Sequence, residues 1–135
     1  MSPVTFRLLT LNTWKCDGAY RERLALMAPQ VQALAPDAVA LQECFLAGDG
    51  SADTAARLCA ATGLRPQVVR ARHKRRAFEG REVASWSCQT VLHAHPVLRS
   101  EALLLPCPPG DDDRRAQLVR LDVQGFVVTL ANVHL

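Results

Sequence analysis

The sequence predicts an α/β fold, a mixed β-sheet with flanking helices that starts with a right-handed βαβ unit. Three stretches carry this prediction. Residues 37–43 (DAVALQE) run four apolar residues, Ala38 to Leu41, without a polar break before Gln42 and Glu43. Such a run suits a strand buried on both faces of a parallel sheet. Residues 20–34 carry Leu24, Met27, Val31 and Leu34, the three- and four-residue spacing of an amphipathic helix. Residues 5–11 (TFRLLTL) read as a strand ahead of that helix. Strand, crossover helix and parallel strand then follow within about forty residues.

Taken in order, strand 5–11 leads into Asn12-Thr13-Trp14. Pro29 lies inside the helical pattern, where the lost backbone donor kinks or splits the helix. Ala35-Pro36-Asp37 closes it, and strand 37–43 follows. The βαβ geometry brings the carboxyl ends of both strands to one sheet edge, where open α/β sheets bind ligands. Asn12 and Glu43 become neighbours there. Gly48-Asp49-Gly50 is a turn, Ser51 or Asp53 caps a helix to about Thr62, and Gly63 stops it. Residues 66–71 form a strand that runs into a basic loop. Residues 87–95 are strand-like up to Pro96, residues 97–105 are apolar, and residues 106–113 (PCPPGDDD) are a loop. Strands 117–123 and 126–133 are joined by Gln124-Gly125, a tight hairpin signal.

Length and composition limit the possibilities. A chain of 135 residues suits one modest domain, and 49% apolar residues make it globular. No run approaches the ~20 apolar residues of a membrane span, and no basic-then-apolar leader is expected at the N-terminus. The five cysteines are odd in number and scattered, with no C-x-x-C pair. That points to a reducing, cytoplasmic setting and away from structural zinc. Net charge is +3, yet the segment from Arg70 to Arg81 (RARHKRRAFEGR) holds six Arg or Lys against one Glu, a local +5. Everything outside that segment therefore sums to −2.

Glu43 is either a ligand for a hard cation such as Mg²⁺, with Asn12 beside it, or an ordinary strand-end acid. Asn12 has its own alternative, capping the next turn. Asn132 and His134, at the end of the last strand, are the candidate catalytic residues. A His there donates to a phosphate oxygen or is simply exposed. Arg114 and Arg115 bind substrate phosphate or balance Asp111, Asp112 and Asp113. The segment from Arg70 to Arg81 makes phosphate contacts with nucleic acid or an anionic surface, or is solvated. Phe78 is its one aromatic, which gives base stacking little support.

The set T-L-N-T-W (10–14), P-D-A-V-A-L-Q-E (36–43), H-P-V (95–97), R-R-A (114–116) and N-V-H-L (132–135) resembles the endonuclease/exonuclease/phosphatase family. The resemblance spans the whole chain, and the first two motifs in tandem are its specific part. It implies the first half of a DNase I-like four-layer α/β sandwich, with two mixed sheets flanked by helices and the active site between sheet edges. It implies that Asn12 and Glu43 help bind Mg²⁺ or Mn²⁺, and that His134 contacts the scissile phosphate. It implies as substrate a nucleic acid, a phospholipid or a small phosphate ester, hydrolysed by a metal-activated water. Two departures stand out. Cys88-Gln89 replaces the family's Gly-Leu pair, and its Gly-Asp-x-Asn and Ser-Asp-His motifs are absent. Residues 1–135 therefore read as the N-terminal part of an incomplete domain, with the C-terminal half as its missing partner. The inner face of its sheet is expected to meet water. A nucleic-acid or anionic-surface binding module, or a non-catalytic relative, is the alternative.

Overall fold

The βαβ unit is present in the computed structural model, which describes residues 2–110 and 114–135. Asp111, Asp112 and Asp113, expected to balance Arg114 and Arg115, lie outside the described residues. Strand β1 (Leu8–Asn12) runs parallel to β2 (Ala38–Ala47), with Leu8 beside Ala38 and Asn12 beside Gln42. Helix α1 (Tyr20–Leu34) makes the crossover and is neither split nor ended at Pro29. Pro29 and Ala25, whose carbonyl loses its donor, are both exposed, so water can take the missing bond. The buried face of α1 is Tyr20, Leu24, Ala28 and Val31. Leu34, which the spacing assigns to the core, is half exposed.

Helix α2 (Thr54–Thr62) begins at Asp53, whose side chain accepts from the Ala56 N–H at 3.0 Å, and ends at Gly63 with φ +75°. Strands β3 (Arg65–Phe78) and β4 (Arg81–His93) complete the first sheet in the order β1-β2-β4-β3. The expected basic loop is thus a hairpin. Glu79 and Gly80 turn it at φ +49° and +77°, both positive as a type I′ turn requires, so the cations before them lie on a strand. Strands β5 (Val97–Leu105), β6 (Arg114–Val123) and β7 (Phe126–Val133) form a second sheet, antiparallel throughout rather than mixed. Gln124 and Gly125 form its predicted tight turn, again at positive φ.

The helices cover one face of the first sheet, packing Leu24, Val31 and Leu58 against Val39, Leu41 and Phe45. The second sheet covers the other face, with Ala38 and Val91 against Val119, Leu121, Val123 and Leu130. This corrects the expectation that the inner face meets water: the chain builds both sheets. Exposed apolar side chains include Leu8 of β1, at the edge of that inner face, and, elsewhere, Val127 and Val133 of β7 and Leu26 and Leu34 of α1. No helix among the described residues is long and apolar enough to cross a membrane.

The end of the sheet opposite Asn12 is knotted at Asp37. Its carboxylate accepts from the Arg7 N–H at 2.7 Å and lies 2.8 Å from His95 Nε2, while its carbonyl accepts from the Ala94 N–H at 2.9 Å. The P-D and H-P-V motifs are therefore two halves of one contact. Partial burial disfavours charge on Asp37, but the Arg7 N–H and the His95 ring outweigh it and hold the carboxyl below its ordinary value. An acid depressed in the folded state contributes stability above its unfolded pKa and loses it as pH falls. Urea unfolding is expected to show stability declining below about pH 4, with a smaller decline in Asp37→Asn. An unchanged acid limb in that variant would remove Asp37 from the account.

Candidate active site

Between the pairs Leu41–Thr90 and Cys44–Cys88, β2 places two residues, Gln42 and Glu43, opposite one residue of β4. This β-bulge holds Glu43 at φ +50°, a left-handed conformation that costs a non-glycine residue about 1–2 kcal/mol. The segment 12–15 imposes it. Gln42 O accepts from the Thr13 N–H, and Glu43 O accepts from the Lys15 N–H, each at 2.9 Å. The buried Thr13 hydroxyl shares its proton between the same two carbonyls, at 3.1 and 3.0 Å. Asn12 Oδ1 accepts from the Trp14 N–H at 2.9 Å, so Asn12 caps the turn. The T-L-N-T-W stretch is thus the clamp that aims Glu43.

The Glu43 carboxylate is bracketed by two bases. Lys15 Nζ lies 3.4 Å from Oε2, and His134 Nε2 lies 3.5 Å from Oε1. Lys15 Nζ also lies 3.3 Å from Asp17. These groups open onto a cleft of about 140 Å³ that Arg72, Lys74, Arg76, Arg114 and Arg115 also line. Among the described residues, six Lys or Arg thus surround a single lining carboxylate. Asn12 is outside this lining, one ladder step away beside Gln42. Gln42 Nε2 donates to Thr10 Oγ1 of β1 and to Asn132 Oδ1 of β7. Thr10, Asn12 and Gln42 accordingly share the face turned toward the second sheet.

Asn132 lies beneath the cleft rather than in it, at 1% exposure. Its Nδ2 donates to Leu41 O at 2.9 Å, Gln117 Oε1 at 3.1 Å and Thr90 O at 3.3 Å, and its Oδ1 accepts from Gln42 at 2.8 Å. Gln89 Nε2 donates to Asn132 O at 3.0 Å, and Gln117 Nε2 to Gln67 O at 2.7 Å. Five strands of the two sheets are joined through these amides. His134 follows two residues after this anchor, which ties down a segment that would otherwise fray. The cleft therefore unites Glu43, His134, Arg114 and Arg115. Sequence reasoning missed Lys15 and assigned Arg72, Lys74 and Arg76 to a loop; the Glu-Gly pair at 79–80 was the signal for a strand.

Glu43 brings a hard oxygen donor to the cleft, and Asn12, one ladder step away, has an Oδ1 that already caps the Trp14 N–H; oxygen donors of this kind suit Mg²⁺, which keeps waters and uses few protein carboxylates. The described residues contain no group of three or more His, Cys, Asp or Glu that could hold a metal, so their share of such a shell is partial. Burial pushes the Cys88 thiol up to about 11 and the Cys44 thiol to about 12. Neither is a thiolate nucleophile at neutral pH.

Two variants separate scaffold from site. Asn132→Ala takes the amide donor from Leu41 O and Gln117 Oε1, each at about 1–3 kcal/mol, so urea unfolding should show a loss of roughly 2–6 kcal/mol. Glu43→Gly relieves the left-handed strain at the cost of about 0.5–1 kcal/mol in chain freedom. Its melting temperature is expected to hold or rise, and a fall of several degrees would refute the strained bulge.

No protein-family model matches the sequence, and no curated protein matches it. Solved structures do. An endonuclease/exonuclease/phosphatase family protein from Leptotrichia buccalis C-1013-b superposes with a TM-score of 0.75 at 12% identity, over 97% of this chain and 54% of its own. The endonuclease/exonuclease/phosphatase from Beutenbergia cavernae DSM 12333 has the same TM-score, 0.75, at 26% identity, over 96% of this chain and 38% of its own. TDP2 from Caenorhabditis elegans matches in fold at a TM-score of 0.60 and 18% identity, over 96% and 35%. The chain thus spans about half or less of the proteins it matches. In its fold the chain is thus similar to endonuclease/exonuclease/phosphatase (DNase I-like) proteins, over a portion of their length.

Proposed function

We propose that these residues carry part of the active site of a metal-dependent phosphoesterase, acting on a phosphomonoester or phosphodiester. The reading is supported above all by the meeting of Glu43, His134 and six cations in one cleft at the joined ends of β1, β2 and β7. Glu43 and Asn12 would hold Mg²⁺ or Mn²⁺. Such an ion, when bound, neutralises phosphate charge and activates water. His134, whose Nε2 lies 3.5 Å from Glu43, can donate a ring N–H to a phosphoryl oxygen. Arg114, Arg115 and Lys15 oppose the charge that the phosphate brings into the cleft. Among the described residues, Glu43 is the one carboxylate that lines the cleft. The chain spans about half or less of the structures it matches, so its turnover alone is expected to be weak, and metal binding is the more direct readout.

Calorimetric titration with Mn²⁺ should find one site whose affinity drops at least about 10-fold in Glu43→Gln. Hydrolysis of bis(p-nitrophenyl) phosphate should require Mg²⁺ or Mn²⁺, stop with EDTA, and fall about 10²-fold or more in His134→Gln. Unchanged Mn²⁺ affinity in Glu43→Gln would remove Glu43 from the metal site.

A further inference from the structure

We propose that the cleft-facing side of β3 is a track for a chain of several phosphates, which makes the substrate a nucleic-acid strand read through its backbone. This deepens the phosphoesterase reading, and rests on it only for delivery of a phosphate to Glu43. The argument starts from a second bulge. Val69 pairs with Gln89 and Arg70 with Cys88, but the next pair is Arg72 with Ser87, so Ala71 is the extra residue. Before the bulge, Gln67 and Val69 share the inner face with Val91 and Gln89. After it, Arg72, Lys74 and Arg76 pair with Ser87, Ser85 and Val83 and take over that face. An unbulged strand would present Ala71, His73, Arg75 and Ala77 there instead, since side chains alternate. One inserted residue thus converts a nearly neutral face into a row of three cations.

That row is about 13–14 Å long, at 3.3–3.4 Å per residue, more than one phosphate can span. Arg76 is anchored by donating to Ser85 Oγ at 2.7 Å, and burial together with nearby Arg72 disfavours its charge. An approaching polyanion would offset both. Arg114 and Arg115 also line the cleft, together with Lys15, Glu43 and His134. A membrane surface fits less well, because among the described residues no exposed large apolar side chain lines the cleft. Phe78 is buried against Tyr20 and Phe45, so it is not offered to bases, and recognition is of the backbone.

The test is fluorescence anisotropy of a labelled single-stranded 16-mer DNA of mixed sequence, titrated with the chain in EDTA at increasing salt. Affinity should fall with salt at a log–log slope of roughly −0.7 for each phosphate contacted, so of about −2 for three. Replacing Arg72 and Lys74 together by alanine should weaken binding at least about 10-fold and make the slope shallower by about 1.4. Arg75→Ala, on the opposite face beside Glu82, should change neither. Equal loss in Arg75→Ala, or a salt-insensitive affinity, would overturn the track. So would equally tight binding of a mononucleotide, or of phosphatidylserine vesicles in place of the oligonucleotide. Because binding is read in EDTA, its failure leaves metal-dependent hydrolysis of a small ester standing, and loss of that hydrolysis leaves the track standing.

Discussion

The side-chain amide of Asn132 is the contact on which the arrangement of this molecule depends. A bulge breaks the β2–β4 ladder after Leu41–Thr90 and leaves strand carbonyls facing the other sheet. Buried carbonyls must find donors or forfeit their hydration. A primary amide fits because it brings two N–H bonds and an acceptor on a short stem. Asn132 donates to Leu41 O and Thr90 O and accepts from Gln42. Each strand thereby fixes the next. The bulge that aims Glu43 needs the second sheet to satisfy it, and the second sheet is held in register by the bulge. A buried polar cluster of this kind is costly when partly satisfied and rigid when complete, and its rigidity is passed to His134 two residues further on.

Charge in the cleft follows the same economy. Glu43 is strained, largely buried and flanked by Lys15 and His134. Lys15 already reaches Asp17, so the ammonium has a second carboxylate nearby if another cation occupies Glu43. Across the cleft lie further cations, Arg72, Lys74, Arg76, Arg114 and Arg115. Their mutual repulsion is tolerable in water at moderate salt, where screening acts over about 8–10 Å. It turns into attraction for any ligand that carries phosphates.

Much of this was legible in the sequence because the signals are local. The spacing of Leu24 and Val31, the Asp53 cap, the Gly63 stop and the Gln124-Gly125 turn each report the conformation of their own neighbourhood. Phe126–Val133 appears as a strand with the bounds expected after that turn. The rest was hidden because it is set by register. Nothing near Ala71 in the sequence announces a bulge, since alanine suits either phase, and so the side taken by Arg72, Lys74 and Arg76 could not be read. The density of cations in that segment disguised a strand as a loop. Asn132 looked like part of the chemistry because it neighbours His134, and only the opposing sheet reveals its anchoring bonds.

The two bulges also explain why a cleft exists at all. They lie on the two strands that flank β4, one opposite Gln89 and the other beside Cys88. Bulges on both sides of one short stretch raise local twist and bend the sheet. The cleft lies beside these bulges, lined by residues 71, 72, 74 and 76 of β3, residues 87–89 of β4, Arg114 and Arg115 of β6 and His134 after β7. Residues 88 and 89 sit at this pivot, and they are the pair that departs from the family's Gly-Leu pattern. Cys88 packs into the helix-side core, and Gln89 supplies the donor to Asn132 O. Leucine at position 89 would have no N–H to give that carbonyl. The departure is thus physically consistent with its surroundings: it adds a bond to the anchor on which His134 depends.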